Sequence, residues 1–361
     1  MMFQFFLAEK AQAALGRPAS AGQIVGQFSA EGRIFMKSVP RELLDFIGLH
    51  GTFYLIGHKE PDGDCVGSQL ALGSFLRRQG KQVVLLSAGP FSRTEVMPYE
   101  SRFQPRLPQN SPTEGAAALI LDCSSLSRIG EVADSLPQVP LAFIDHHASG
   151  SASGAVLYID PKAPAVTLLI LALIEASGSH PTKEEAEYLF FGLCTDTGFF
   201  RHLDESSAPT FEAAARLVSA GASPKRSFNM MYGGKTLLSR RLMGEILRRT
   251  ESFYDGRLLV SSMTLEDQQR YGLESRDSDM LYQLLLSVAG SEAAMIVRQE
   301  NESNCTVGLR ARELVDVGSI AQSFGGGGHR LAAGLSLPGT VETVSEKLVA
   351  AFAPAFDSLP R

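Results

Sequence analysis

Apolar runs and amphipathic segments alternate along the chain from Thr52 onward. TFYLIG and KQVVLLSAG are predicted to be strands, with CVGSQLALGSFLRRQG as the helix between them, ended by Gly80. AAALILD and PLAFID are almost continuously apolar, which is typical of strands buried on both faces of a parallel sheet. APAVTLLILALIEASG and KEEAEYLFFGLCTDTG are predicted to be helices. Strands that alternate with helices predict a doubly wound α/β domain, which binds ligands at the carboxyl ends of its strands.

The pattern changes around Ser223, where a turn-rich stretch leads into a basic amphipathic helix. Beyond it, GRLLVSSM, AAMIVRQE and CTVGLRAR predict strands, and MLYQLLLSVAG and VDVGSIAQSF predict helices. This order indicates a smaller α+β domain with a mixed sheet. We therefore expect an N-terminal extension (1–36), a first domain (37–225), a linker (226–250) and a second domain (251–361). The extension lacks the charge pattern of a signal peptide, and we expect little function there.

Composition and charge narrow the class of protein. Of 361 residues, 44% are hydrophobic and 20% are charged, and the longest apolar stretch stops at Glu175, so we predict no membrane span. The net charge of −6 argues against a broad basic face for long duplex nucleic acid, but it allows a short anionic substrate. The cysteines form no CxxC pair and follow no secretory signal, which favours reduced thiols in the cytoplasm.

Acidic and imidazole side chains fall where three predicted strands end. GHKEPDGDCVGS follows the first strand, LILDCSS ends a second and FIDHH ends a third, so these side chains should meet at one edge of the sheet. A further carboxylate, Asp196, lies between Gly192 and Gly198, which permit a close approach of the backbone. The residues at the three strand ends are His58, Asp62, Asp64, Asp122, Asp145, His146 and His147.

Aspartates this close together would raise one another's pKa values unless cations neutralise them. Carboxylates mixed with imidazoles suit Mn²⁺, Mg²⁺, Fe²⁺ or Co²⁺, whereas a structural zinc site more often contains thiolates. The set is large enough for two ions that share Asp122 as a bridging ligand and activate water, which predicts hydrolysis of phosphate esters. For Asp64 alone, the alternative is an N-cap of the helix that follows it.

FGGGGHRLAAG, residues 324–334, forms a second candidate site. Four consecutive glycines do not stabilise a strand or a helix, but they let backbone amides wrap around an anion, with His329 and Arg330 beside them. Upstream, Arg310 and Arg312 are two residues apart, so we expect them on the same face of a strand. Guanidinium groups there would bind a phosphate through paired hydrogen bonds. The alternatives are a flexible surface loop for the glycines and a solvated edge strand for the arginines, with charges paired to residues such as Glu313.

The motifs HKEPDGD, LDCSS, IDHH, CTDTG and GGGGHRLAAG, in this order, resemble those of the DHH phosphoesterase superfamily. They are similar to the subgroup of nanoRNases and 3'-phosphoadenosine 5'-phosphate phosphatases. The resemblance runs from about residue 38 to the C-terminus, so the N-terminal extension is a departure from it. It implies a Rossmann-like DHH domain, a DHH-associated domain, an active site in the cleft between the two, and Mn²⁺ as the usual metal.

The resemblance also implies roles for individual residues. His58 and Asp62 would bind one ion, Asp64 and His146 the other, and Asp122 and Asp196 would be shared or complete the coordination. His147 would face the scissile phosphate, and Asp145 would orient the two histidines. The residues expected to bind the substrate are Arg310, Gly325, Gly326, Gly327, Gly328 and His329. A homodimer is a further expectation that rests on the resemblance alone.

We therefore predict a metal-dependent phosphodiesterase that degrades very short RNA to mononucleotides and also acts on 3'-phosphoadenosine 5'-phosphate. One alternative is a phosphodiesterase for cyclic-di-AMP or a linear dinucleotide, although no sensory domain or membrane span precedes the first domain. Another is a RecJ-like single-strand exonuclease, for which stacking aromatic residues along a basic channel would be expected; tryptophan is absent. An inactive nucleotide-binding regulator is the alternative from a different class, but such proteins usually lose a metal ligand.

Overall fold

The structure, a computed structural model, describes residues 37–147, 154, 156–272 and 278–357. These residues divide into two compact units, with the boundary between Met231 and Tyr232. The predictions made for residues 1–36 lie outside the described residues. Within the described ranges, no helix combines the length and the apolar character that a membrane crossing requires.

The first unit contains a parallel five-stranded sheet with the order β2-β1-β3-β4-β5. Side chains alternate along each strand, so Phe53 and Leu55 of the first strand join one buried cluster and Tyr54 and Ile56 join another on the opposite face. Both faces are therefore covered, as the continuous apolar runs predict. The strands are β1 (Thr52–Ile56), β2 (Gln82–Leu86), β3 (Ala116–Leu121), β4 (Leu141–Asp145) and β5 (Val156–Ile159).

The helices of the first unit begin where the sequence supplies capping side chains. Asp62 caps α2 by accepting a hydrogen bond from the Cys65 amide at 3.1 Å, and Thr182 and Glu185 form a capping box at the start of α5. The helices are α1 (Arg41–Leu49), α2 (Gly63–Arg78), α3 (Val132–Ser135), α4 (Val166–Ala176), α5 (Lys183–Asp196), α6 (Ala208–Ser219) and α7 (Pro224–Tyr232), with 3₁₀ helices at Met97–Arg102 and Leu126–Arg128.

The second unit contains a six-stranded mixed sheet with the order β10-β11-β9-β8-β7-β6, which confirms the predicted α+β character. Only the β7–β8 pair is parallel among the described strands of this sheet. The strands are β6 (Glu251–Phe253), β7 (Leu258–Met263), β8 (Ala293–Asn301), β9 (Asn304–Ala311), β10 (Gly327–His329) and β11 (Ala332–Pro338). The helices are α8 (Leu237–Arg248), α9 (Leu265–Tyr271), α10 (Ser278–Leu286), α11 (Val317–Ser323), α12 (Val341–Ala351) and α13 (Ala353–Asp357).

The glycine run differs from its prediction. Gly327 and Gly328 belong to β10, an edge strand that pairs with Gly334 and Ala333 of β11, so the expectation that these glycines form no strand is wrong. The close approach explains the composition: at Gly328, where φ is +143°, a Cβ would lie 2.5 Å from the Ala332 carbonyl oxygen. A partner strand compensates for the weak strand propensity of glycine, and only glycine fits this close contact.

Candidate metal centre

Three adjacent strands, β1, β3 and β4, bring their carboxyl ends to one edge of the sheet, as predicted. His58 follows β1 and Asp122 directly follows β3, and the His58 Nε2 lies 3.4 Å from the Asp122 Oδ2. The Asp122 backbone has φ of +60°, an uncommon conformation for a residue other than glycine, and its amide donates to the Ile144 carbonyl of β4 at 3.1 Å. The backbone therefore fixes the Asp122 carboxylate between the neighbouring strand ends.

The first turn of α2 places Asp62 and Asp64 in different environments. Asp62 is the N-cap, and its Oδ1 lies 3.9 Å from the His58 Nε2. The alternative that Asp64 caps α2 is therefore wrong. Asp64 is buried and accepts hydrogen bonds from the amides of Val166 and Thr167, at 2.6 and 2.9 Å, where α4 begins.

Close packing of α2 against α5 brings Asp196, the last residue of α5, beside Asp64. A Cβ on Gly192 of α5 would lie 3.1 Å from both the Asp64 Cα and the Gly63 carbonyl oxygen. A Cβ on Gly67 of α2 would lie 2.6 Å from a carbonyl oxygen of α5. The expectation that Gly192 permits a close approach of the backbone agrees with this geometry.

The two adjacent histidines face different partners. The Nδ1 of His146 lies 3.0 Å from the Ala163 carbonyl, which can only accept, so Nδ1 carries the proton. The Nε2 of His146 faces Asp122 Oδ1 and Asp196 Oδ2, each at 3.6 Å. His147 instead directs its Nδ1 to the Asp145 Oδ1 at 2.7 Å, which leaves its Nε2 for another partner.

Asp145 is fully buried, and both of its carboxylate oxygens accept hydrogen bonds from protein groups. Its Oδ1 accepts from the amides of His146 and His147, at 2.7 and 3.1 Å, in addition to the His147 imidazole. Its Oδ2 accepts from the Ser124 hydroxyl. Although burial opposes ionisation, these hydrogen bonds lower the pKa of Asp145. The pKa of His147 is raised, and the main cause is its hydrogen bond to Asp145. The geometry therefore suits a residue that orients the histidines.

The negative charges of Asp64, Asp122 and Asp196 are poorly compensated. Burial first, and then the charges of neighbouring aspartates, raise the pKa of Asp64 and Asp122 and raise the pKa of Asp196 to about 6. The Asp122 Oδ1 is buried and has no hydrogen-bond partner among the described residues. A buried oxygen without a partner is rare in folded proteins and costs free energy unless an ion or a water binds it. The donor set therefore fits divalent cations.

Three groups of ligand atoms meet here, each with its atoms within 4.8 Å of one another. They are His58, Cys65 and Asp122; Asp122, His146 and His147; and Asp64, His146 and Asp196. Asp122 is shared by two groups. Sequence reasoning missed Cys65. Its buried thiol donates to the Gln69 Oε1 at 3.6 Å, and burial raises the pKa of Cys65 to about 11.

The loop after Asp196 has an uncommon backbone. Gly198, Phe199 and Phe200 have φ values of +57°, +57° and +70°, which is unfavourable for the two phenylalanines. The Thr197 hydroxyl holds the turn by accepting from the Phe200 amide at 3.1 Å. Backbone strain of this kind clusters at functional sites. Apart from Gly198, nothing in the sequence predicted this strained turn.

The candidate substrate residues of the second unit lie in one row of its sheet. Arg310 of β9 pairs with Ala332 of β11, which pairs in turn with His329 of β10. Residues directly opposite one another point to the same face, so Arg310 and His329 share a face. Arg312 follows the end of β9, and its guanidinium donates to the Leu286 carbonyl at 2.9 Å. That the two arginines act together on a phosphate stays a prediction.

Comparison with known proteins places this geometry in a family. Residues 52–193 match the DHH family N-terminal domain, and residues 255–356 match the DHHA1 domain. The chain is 31% identical to the bifunctional oligoribonuclease and PAP phosphatase NrnA of Thermus thermophilus, over 81% of this chain and 86% of that protein.

Solved structures share the fold. A crystal structure of an exopolyphosphatase-related protein from Bacteroides fragilis has a TM-score of 0.76 at 24% identity and covers 88% of this chain and 97% of its own. A crystal structure of the exonuclease RecJ bound to manganese has a TM-score of 0.50 at 15% identity and covers 91% of this chain and 96% of its own. The matched domains and the extent of identity to the Thermus relative show that the chain belongs to the DHH family and is a phosphoesterase.

Proposed function

We propose that this phosphoesterase hydrolyses very short oligoribonucleotides to mononucleotides and removes the 3'-phosphate of 3'-phosphoadenosine 5'-phosphate. The observation that carries the proposal is the buried Asp122 Oδ1 without a hydrogen-bond partner in the described chain, with imidazoles of His58 and His146 on either side of that carboxylate. The substrate class is supported by the Thermus relative, whose name states both activities.

The metal ligands are proposed from the same geometry. His58, Asp62 and Asp122 would hold one divalent ion, and Asp64, His146, Asp196 and Asp122 would hold the second. Oxygen and imidazole donors favour Mn²⁺, with Mg²⁺, Co²⁺ or Fe²⁺ as alternatives. When bound, such ions act as Lewis acids and lower the pKa of water, which is the chemistry that phosphoester hydrolysis needs.

His147 is proposed as the residue that contacts the substrate. Asp145 holds its Nδ1, so the Nε2 is directed away from that carboxylate and is free to donate to a phosphoryl oxygen. The raised pKa of His147, caused mainly by its hydrogen bond to Asp145, favours the imidazolium form. A positive charge at this position stabilises the negative charge that develops on the phosphoryl oxygens.

The second unit is proposed to bind the rest of the substrate. Arg310 and His329 provide a cationic side chain and an imidazole on one face of the sheet, and the edge strand β10 leaves exposed backbone groups beside them. Glycines at 325–328 allow an anion to approach those amides closely. The proposed residues are Arg310, Gly325, Gly326, Gly327, Gly328 and His329.

We also propose a cellular location and an oligomeric state for the protein. All four cysteines lie within the described ranges, and each is buried and forms no disulfide, which fits a reducing cytoplasm. Homodimerisation remains a prediction from the family resemblance, and analytical ultracentrifugation of the full chain would test it.

A length series of RNA substrates tests the proposed function. The protein with Mn²⁺ would be incubated with 5'-labelled RNAs from dinucleotides to long oligonucleotides, together with 3'-phosphoadenosine 5'-phosphate, cyclic-di-AMP and linear dinucleotides. We expect the shortest RNAs to be hydrolysed fastest, and a reaction with chelator serves as the control. Equal or faster hydrolysis of long RNA would contradict the proposal in favour of an exonuclease, and exclusive hydrolysis of cyclic-di-AMP would contradict it in favour of a cyclic dinucleotide enzyme.

A further inference from the structure

Two arginines beside the candidate metal centre have no role in the function proposed above. Arg128 ends the 3₁₀ helix that follows β3, and Arg93 lies in the loop that follows β2. Both loops start at carboxyl ends of strands that flank β1, the strand that leads to His58. The two arginines therefore lie on the edge of the sheet where the metal ligands converge.

Backbone hydrogen bonds join these loops into one rim. The Lys59 amide donates to the Arg128 carbonyl at 2.8 Å, and the next amide, of Glu60, donates to the Gly89 carbonyl at 2.8 Å. Glu60 has φ of +54°, a conformation in which its amide can reach the loop after β2. The segment that carries His58 is thus tied on one side to Arg128 and on the other side to the loop that contains Arg93.

The charges of these arginines act on the centre. Burial opposes ionisation of Asp62, but the hydrogen bond and the charge of His58 lower its pKa to about 2, and the positive charge of Arg93 contributes to that decrease. The charge of Arg128 slightly opposes the raised pKa of His147, whose main cause is the hydrogen bond to Asp145. Each guanidinium is therefore close enough to one end of the centre to affect it.

Neither guanidinium has an ion-pair partner or a hydrogen bond within the part of the chain that the structure describes, and both residues are exposed. Other exposed arginines of the same unit do have partners: Arg106, Arg216 and Arg226 each pair with a glutamate. Arginine binds phosphate through two parallel hydrogen bonds, and its charge is retained at every physiological pH. The free donors of Arg93 and Arg128 thus suit an anion that approaches the rim.

We propose that Arg93 and Arg128 form a phosphate subsite that binds a second phosphate group of the substrate, next to the phosphate that is hydrolysed. The inference rests on the proposed function and refines it. The ligand class is a nucleotide with at least two phosphates, such as a dinucleotide with a terminal phosphate or a nucleoside bisphosphate. A subsite of this kind makes the enzyme prefer substrates whose terminal phosphate reaches the rim, which limits their length.

Kinetics on a matched pair of dinucleotides test the subsite. The substrates are a diadenylate with a 5'-phosphate and the same diadenylate without it, and the variants are Arg93→Ala, Arg128→Ala and Arg128→Lys. We expect each alanine variant to lower kcat/KM for the phosphorylated dinucleotide by about tenfold or more, mainly through KM, because a charge-assisted contact is lost. The loss on the unphosphorylated dinucleotide should be much smaller, and Arg128→Lys should retain part of the preference.

The control is Arg216→Ala, an exposed arginine of the same unit whose partner is Glu175. This variant should behave as the wild-type protein. Equal losses on both dinucleotides, or no loss on either, would overturn the subsite.

Calorimetry separates failure of the subsite from failure of the proposed function. Binding of 3'-phosphoadenosine 5'-phosphate and of adenosine 3'-monophosphate, which lacks the second phosphate, would be measured with chelator present, so that no turnover is required. The wild-type protein should bind the bisphosphate more tightly than adenosine 3'-monophosphate, and Arg93→Ala and Arg128→Ala should each lose most of that preference. An unchanged preference in both variants, or no preference in the wild-type protein, would overturn the subsite even if RNA hydrolysis is observed.

Discussion

Asp122 and Asp145 lie at the ends of neighbouring strands, but their surroundings are opposite. Asp145 receives hydrogen bonds on both oxygens, whereas the Asp122 Oδ1 receives none from the described residues. Both carboxylates are almost completely buried. A buried oxygen that already has its donors orients its neighbours, and one that lacks them is suited to a cation. The roles of the two aspartates follow from hydrogen bonding rather than from burial.

Substitution of the two adjacent histidines should likewise have two different effects. His146→Ala should lower Mn²⁺ affinity, because the Nε2 that faces Asp122 and Asp196 is removed. His147→Ala should keep the bound metal and lose turnover. Metal content after dialysis and kcat on a dinucleotide check both statements, and the two variants serve as controls for each other. If both variants lost Mn²⁺ equally, this division would be wrong.

Asp145→Asn tests the role of the buried carboxylate. The substitution keeps the size of the side chain but removes the charge that holds the His147 imidazole, so kcat should fall by about a hundredfold or more while Mn²⁺ content stays the same. Asp134→Asn, at an exposed aspartate of the same unit, is the matched control. Loss of metal in Asp145→Asn would show that Asp145 belongs to the metal site instead.

The sequence predicted which side chains converge, because the polar residues follow predicted strands and the ends of parallel strands meet at one edge of the sheet. They did not predict how each carboxylate is hydrogen-bonded. Asp64 reaches the amides of α4, which are 102 residues away in sequence, so the local capping alternative was wrong for a reason that only the fold reveals. Cys65 was missed because a lone cysteine in a sequence does not indicate which groups surround its sulfur.

At the scale of elements, the centre depends on how closely α2 and α5 approach. Gly63 and Gly67 of α2 and Gly192 of α5 remove the side chains that would otherwise separate the two backbones. Asp64 lies in the first turn of α2 and Asp196 ends α5, so the spacing of the helices sets the distance between these two carboxylates. Glycine at the crossing thus acts on the site without contacting it.

Gly192→Ala should therefore weaken both stability and metal binding. The added Cβ would lie 2.5 Å from the Thr167 methyl group and 3.1 Å from the backbone of α2, so the helices must move apart. We expect a loss of about 1–3 kcal/mol in the free energy of unfolding and a lower Mn²⁺ affinity. Chemical denaturation and metal titration would check both quantities.

Gly48→Ala is the matched control, since Gly48 lies in α1 and a Cβ there has no neighbour within 4 Å. That variant should be as stable as the wild-type protein or slightly more stable. If Gly192→Ala behaved like Gly48→Ala, the packing of α2 against α5 would not control the site.

Local pattern predicted β1 to β4 and the helices α2, α4 and α5, since each has a clear apolar period. The glycine run could not be predicted in the same way. Its strand β10 exists because β11 lies beside it, and no property of GGGG alone indicates that partner. Elements that depend on a neighbouring strand are the ones that a single sequence describes least well.

At the scale of the whole molecule, each unit contains its own buried core. Two buried clusters belong to the first unit and two others to the second. All of the proposed metal ligands lie in the first unit, and the proposed contacts of Arg310, His329 and the glycines at 325–328 lie in the second. Because each unit has its own core and the proposed metal ligands lie in the first, we predict that a bound metal stabilises the first unit only.

Mn²⁺ should therefore raise the unfolding temperature of the first unit and leave that of the second unchanged. A ligand present at about 100 times its Kd adds about 2.7 kcal/mol to the folded state, which shifts a transition by several degrees. Differential scanning calorimetry with and without Mn²⁺ would measure this. Asp122→Asn is the control, because asparagine tolerates the positive φ at this position but lacks the charge. A shift that persists in this variant would contradict the metal assignment.

The most direct test of the central claim is the release of mononucleotides from a dinucleotide by metal-free protein to which Mn²⁺ is returned. The account predicts that Mn²⁺ restores hydrolysis in the wild-type protein and that Asp122→Asn stays near the background rate, because the shared carboxylate is lost. Hydrolysis by Asp122→Asn at the wild-type rate, or full activity of the wild-type protein without any divalent ion, would contradict it.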